Sequence, residues 1–326
     1  VETMSRQSAL TEVLGVAVAV GIGLCIALQA RINGELARQL DDGYVAAVIS
    51  FGSGLVVMLI VLAFNRAGRD GFGNLRTAIR EKRLPWWGVL GGLSGAFFVL
   101  SQGLTVGSIG VALFMVAVVS GQTVSGLLVD RFGIGPAGRA PITTPRIIGA
   151  ILCLIAVVIV GWGGIAANAP LWMLLIPAIA GVGVAWQQAV NGRVRIEARS
   201  WVTATFLNFV LGVAALLVAL AVHAALVGLP SDYPSALWLY LGGPIGVVFV
   251  AAGTVVVRRI GVLVLGLGTV AGQLMGSLLI DLIAPAAGDA LDWPVIVGTA
   301  LTLLAVVIAS GVLTAPRGTS PGRSNA

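Results

Sequence analysis

Carboxamides recur inside stretches that are otherwise apolar: Gln29 and Asn33, Gln122, Gln187 and Asn191, Asn208, and Gln273. A carboxamide donates and accepts hydrogen bonds without carrying charge, which suits it to neutral or zwitterionic polar groups. In hydrocarbon an unpartnered amide costs several kcal/mol, so each of these side chains must face protein or a water-filled cavity. Gln122 and Gln273 fall near the centres of their stretches. They are expected either to hold a solute at the bilayer midplane or to bridge helices, the latter worth about 0.6–2 kcal/mol. Gln29 and Asn33 are four residues apart, as are Gln187 and Asn191, so each pair shares one helix face. Gln29, Gln122, Gln187, Asn208 and Gln273 are the substrate-binding candidates. Asn33 and Asn191, nearer the ends of their stretches, are candidates for gating or for tying down a helix end.

The ionisable residues support less chemistry. Asp130 and Asp281 close their stretches, where a carboxylate reaches water and avoids the ~2.5–3.5 kcal/mol cost of the bilayer centre. A gating or helix-end role is expected for both. Glu12, early in the first stretch, is the candidate proton site. His223, the only histidine, falls at a stretch end and is expected at the interface rather than in a proton relay. Cys25 and Cys153 lie in apolar runs and suggest neither a disulfide nor a metal site. No nucleophile and base stand together, so no enzymatic activity is expected. There is no glycine-rich phosphate loop and Lys82 is the only lysine, which argues against ATP-driven transport and against a cofactor.

The elements that carry these residues follow from composition. Of 326 residues 58% are hydrophobic and 10% charged, with a mean hydropathy of +1.04. A soluble domain carries roughly a quarter charged residues. Runs of about 20 apolar residues, the length that crosses the hydrocarbon core as a helix, recur along the chain. Ten such spans are expected, near 11–33, 44–64, 86–106, 109–130, 146–166, 170–192, 201–223, 236–257, 261–283 and 293–314. Very short breaks at Gly107-Ser108 and Asn168-Ala169-Pro170 imply antiparallel hairpins. With a cytoplasmic N-terminus, all of the 19 basic residues except Arg31 and Arg38 fall on the cytoplasmic side. That bias predicts both termini in the cytoplasm. It also accounts for the net charge of +6 without any nucleic acid partner.

The chain matches itself without gaps in two registers. ALQARINGEL (27–36) pairs with AWQQAVNGRV (185–194), placing Gln29 on Gln187 and Asn33 on Asn191, and Ser50-Phe51 on Asn208-Phe209. GGLSGAFFV (91–99) pairs with GGPIGVVFV (242–250), and SGQTVSGLLVD (120–130) with AGQLMGSLLID (271–281), placing Gln122 on Gln273 and Asp130 on Asp281. Each half has an odd number of spans, so the second must enter the membrane from the opposite side. The expected architecture is an all-α polytopic membrane protein of ten transmembrane helices in two inverted five-helix repeats. Residues 1–10 form a cytoplasmic tail, 11–166 the first repeat, 170–314 the second, and 315–326 a disordered cytoplasmic tail. Glycines at three- and four-residue spacing, Gly91, Gly92, Gly95, Gly242, Gly243, Gly246, Gly266, Gly268, Gly272 and Gly276, are expected to let helices pack closely.

Gln29-x-x-x-Asn33, Ser50-Phe51 and the glycine-rich third span, repeated in the second half, resemble the YdcZ-like branch of the drug/metabolite transporter superfamily. The resemblance covers roughly residues 10–315. It implies a ten-helix permease or exporter of the bacterial inner membrane, in which two inverted bundles enclose a central cavity. Inverted repeats of this kind are a feature of alternating-access transporters, and also occur in channels. The expectation is a secondary-active exporter of a small polar or amphipathic organic solute. A passive channel or facilitator, and a non-transporting scaffold or sensor, are the alternatives. The expected partners are that solute and the lipid bilayer, with homodimerisation left open.

Overall fold

The computed structural model describes residues 2–136, 138–139, 141–162, 170–284 and 293–309, without the side chains of 2–13, 160–162, 253–265, 267 and 309. The described residues are helical, with no strand among them. In chain order the helices are α1 (Glu2–Leu40), α2 (Gly43–Phe64), α3 (Arg66–Arg80), α4 (Gly91–Phe132), α5 (Thr144–Trp162), α6 (Trp172–Ala198), α7 (Trp201–Val227), α8 (Gly242–Ile283) and α9 (Trp293–Ala309). Short 3-10 turns, Trp86–Val89 and Leu237–Tyr240, lead into α4 and α8. Among the described residues, five stretches are long and apolar enough to cross a membrane: Leu14–Leu40, Gly43–Phe64, Trp86–Phe132, Trp172–Ala198 and Trp201–Val227. Shorter apolar helices run over Thr144–Ile159, Gly242–Ala252, Gly268–Ile283 and Trp293–Ile308.

The ten expected spans map onto this order, with the third and fourth joined in α4 and the eighth and ninth in α8. A straight helix of 42 residues would run about 63 Å at ~1.5 Å per residue, twice the hydrocarbon core. α4 is instead broken at Gly110, whose φ of 78° and ψ of 167° suit glycine alone. Its two legs run oppositely along α6. Gly91 abuts Asn191 and Gly95 abuts Gln187, whereas Gly121 abuts Ala178 and Gly135 lies beside Ala189. α8 folds on α1 in the same manner: Gly242 meets Asn33 and Gly246 meets Gln29, but Gly268 meets Ala19 and Gly276 meets Leu24. Each half thus lays its first helix against the hairpin of the other half.

The glycine expectation is largely met. A methyl group at Gly92, Gly121, Gly243 or Gly272 would overlap the backbone carbonyl of Asn208, Ala178, Ser50 or Val20. Gly266 is the exception, with open space where a Cβ would stand.

Two boundaries differ from expectation. α1 begins at Glu2 rather than near residue 11, and continues past residue 33 to Leu40. Beyond Asn33 its last turns hold Glu35 bonded to Arg38 and Gln39, neighbours at helical spacing that support one another. The arginine-rich loop after α2 is not a loop. Asn65 caps Gly68 N–H to start α3, and Gly68, Gly71, Leu75 and Ala78 recur every three or four residues on its buried face. That face rests on α6 and α7, where Thr203 Oγ1 donates to Gly68 O at 2.7 Å and Asn74 Nδ2 donates to Ala198 O at 3.2 Å. The last seventeen residues, 310–326, including the expected C-terminal tail, lie outside the described residues.

Candidate functional site

The two molecular ends are chemically distinct. α3, Arg83 against Glu197, and Asp130 against Arg146 gather at one end, and Asp42, His223 and the break at Gly110 at the other. Between them Phe51 of α2 and Phe209 of α7 stack at 5.1 Å between ring centroids, tilted by 45°. Each ring fills the place a side chain would take on the opposite helix, Phe51 at Gly212 and Phe209 at Gly54. Both rings are buried, 5% exposed each.

An amide cluster stands on either side of this aromatic pair. Towards the arginine-rich end, Gln187 and Asn191 on α6 converge with Asn208 on α7. Asn208 Oδ1 accepts from Gln187 Nε2 at 2.7 Å and from Asn191 Nδ2 at 2.9 Å. All three side chains are half-buried. Asn191 packs against Gly91 and Gln187 against Gly95, glycines that leave room for them.

Towards the Asp42 end, Gln29 and Asn33 on α1 meet Ser50 on α2. Gln29 Nε2 donates to Gly242 O at 2.7 Å, and Asn33 Nδ2 to Gln102 Oε1 at 2.7 Å. This cluster is deeply buried: Gln29 is 4%, Asn33 1%, Ser50 2% and Gln102 0% exposed. Asn33 Oδ1, Ser50 Oγ and Gln102 Nε2 have no hydrogen-bond partner among the described residues. Buried polar atoms normally find one, so these three stand out.

The expected pairs Gln29–Asn33 and Gln187–Asn191 therefore do share faces, and Asn208 joins the second. Gln122 and Gln273 are not part of either cluster and make no hydrogen bond to them among the described residues. Their backbone amides lie at the close crossings with Gly181 on α6 and Gly23 on α1. Gln122 is half-buried. Gln273 is 4% exposed and its Oε1 is unpartnered. Asp130 is half exposed and pairs with Arg146, Oδ2 to Nη1 at 2.8 Å. Asp281 is 6% exposed and accepts from the backbone N–H groups of Val111 at 3.0 Å and Ala112 at 2.6 Å. It does not reach water at a helix end, as expected of it; it caps the second leg of α4. His223 stacks on Tyr44 at 4.3 Å and approaches Asp42 Oδ2 at 3.4 Å. The side chain of Glu12 lies outside the described residues. Among the described residues no group of three metal-ligating side chains occurs.

Sequence reasoning missed Gln102. Its counterpart in the second repeat register is Gly253, so comparing the halves conceals it. Its signal is a lone amide in the apolar run before Gly107.

A family model described as "Putative inner membrane exporter, YdcZ" matches residues 14–159 and 172–308, one segment in each half. The chain belongs to the YdcZ family. Among curated YdcZ relatives, the inner membrane protein YdcZ of Escherichia coli strain K12 is 30% identical over 115 residues, 35% of this chain and 72% of its own length. The YdcZ segments include both amide clusters, Gln122, Gln273, Asp130 and Asp281, and leave out Glu12. A crystal structure aligns with a TM-score of 0.51 at 21% identity, over 96% of this chain and 99% of its own; that likeness concerns the fold alone. As a YdcZ protein the chain is an inner membrane protein of a transport family.

Proposed function

We propose that this protein is a secondary-active exporter of a small polar or amphipathic organic solute, working by alternating access between two inverted repeats, 11–166 and 170–314. The observation that carries this reading is the pairing of contacts across the aromatic centre. Gln187 beside Gly95 has its mate in Gln29 beside Gly246, and Asn191 beside Gly91 in Asn33 beside Gly242. Phe51 at Gly212 has its mate in Phe209 at Gly54. Equivalent groups thus guard the two ends of one centre, which is how inverted repeats serve as alternate gates. The clusters are unequally buried, so the two ends are in different states. Uncharged amides and a hydroxyl beside two phenyl rings match a neutral or zwitterionic solute with an apolar portion. The positive-inside bias makes the arginine-rich end cytoplasmic, with both termini on that side.

The test uses Ser50→Cys and Asn208→Cys, separately and together, in a Cys25→Ala, Cys153→Ala background, with a membrane-impermeant maleimide applied from one side at a time. Alternating access predicts that the Asn208→Cys thiol reacts from the cytoplasm and the Ser50→Cys thiol from outside. A bulky adduct at position 208 should then stop reaction at position 50. A channel would let one reagent reach both thiols at once. A scaffold would let it reach neither.

A further inference from the structure

Two repeat-matched pairs, Asp281 with Asp130 and Gln29 with Gln187, differ by molecular end, alongside contacts such as Arg83–Glu197 and Thr203–Gly68 that join the halves at the arginine-rich end. At the end that the charge bias places outside, the bonds of Asp281 and Gln29 cross between the halves. Asp281, of the second half, accepts from Val111 and Ala112 N–H of the first. Gln29, of the first half, donates to Gly242 O of the second. At the arginine-rich end the counterparts turn to their own half: Asp130 to Arg146, and Gln187 to Asn208. The burial follows the same division, with Asp281 6% exposed against 44% for the Asp130 side chain.

The Asp281 contact differs in kind from an ordinary helix cap. Both carboxylate oxygens are engaged, each with one free amide of the leg that starts after Gly110. Charge-assisted bonds of this type are short and about twice as strong as neutral ones. The positive end of the leg's dipole adds to them. Gly110 makes the approach possible, since a Cβ there would stand 2.9 Å from Asp281 Oδ2.

We propose that Asp281 is the positioning residue of the outer gate: its carboxylate latches the second half to the amides after Gly110, and this structure is the conformer closed to the outside. Opening outward requires the carboxylate to leave those amides. The inference rests on the alternating-access reading and names the contact that switches.

The same thiol reporters test it, in Asp281→Ala and, because a lost cap can impair folding, also in Asp281→Asn, which keeps the side chain's size and one acceptor oxygen but removes the charge. Variants that elute as a single species in detergent are then labelled from each side in sealed membrane vesicles of either orientation. A lost latch shifts the population, so labelling of the Ser50→Cys reporter from outside rises by about tenfold or more, as removal of charge-assisted hydrogen bonds implies. Labelling of the Asn208→Cys reporter from the cytoplasm falls reciprocally. If both reporters become more reactive together, Asp281 merely holds the fold and the proposal is wrong. It is also wrong if neither rate changes in the variant that folds. Should labelling at positions 50 and 208 still be mutually exclusive in the parent protein, alternating access survives that result; should it not be, the broader reading falls first.

Discussion

At the scale of residues, the cluster at the arginine-rich end depends on one oxygen. Asn208 Oδ1 accepts from both Gln187 and Asn191, so Asn208→Leu leaves two half-buried donors without their partner, at a cost of about 1–3 kcal/mol. The expected outcome is a lowered midpoint of thermal unfolding and loss of solute flux in proteoliposomes. Asn208→Ser introduces the residue type that the other half carries at this position, Ser50, and should retain part of that flux. Equal flux in the Leu variant and the parent would remove Asn208 from the site. The amides of this cluster were legible in the sequence because a polar side chain in an apolar run must be partnered and because the repeat set Gln29 on Gln187. Gln102 was not, since nothing at Gly253 answers it. Nor does spacing say that the backbones of Gln122 and Gln273 stand at close helix crossings. That depends on which way each helix turns its face in the packed bundle.

At the scale of elements, close approach of backbones does the organising. Gly121 and Gly272 let the second leg of each hairpin lie on α6 and α1, with Ala178 O and Val20 O where a side chain would go. Lipid offers no hydrophobic drive between helices, so loss of such packing is not recovered elsewhere. Gly121→Leu and Gly272→Leu are each expected to destabilise by about 1–3 kcal/mol or more, as overpacking does, read as a lower midpoint in detergent. Gly266→Ala, with open space around it, should leave the midpoint unchanged. α3 offers a milder test. Thr203→Val removes the hydroxyl that donates to Gly68 O, worth about 1 kcal/mol, and should speed proteolysis within 66–83 while the membrane helices stay intact. The hairpins were legible as short breaks between apolar runs. α3 was not, because its buried face is made of Gly68, Gly71, Leu75 and Ala78 among arginines, and glycine gives a weak helical signal.

At the scale of the whole molecule, the charge bias predicts the orientation and one set of paired contacts surrounds the centre. Arg69 and Arg76 on α3 belong to the arginine-rich end, and Ser231 to the segment between α7 and α8 at the other. A cysteine replacing Ser231 should react with impermeant maleimide on intact cells, and one replacing Arg76 only after the membrane is opened. The opposite pattern would invert the assigned gates without altering their pairing. What the sequence alone leaves open is the state of the centre, since matched motifs on both sides of Phe51 and Phe209 say nothing of which cluster is the more deeply buried.

The central claim is that the amide clusters beside Phe51 and Phe209 bind an uncharged or zwitterionic solute, and thermal stabilisation of the purified protein by candidate solutes tests it most directly. A bound ligand stabilises the folded state by mass action, by about 2.7 kcal/mol at a hundredfold excess over its Kd, and so raises the unfolding midpoint. The account predicts a polar or amphipathic solute without net charge that stabilises the parent but neither Asn208→Leu nor Gln29→Leu. A ligand that stabilised all three equally, or stabilisation confined to compact organic cations, would contradict it.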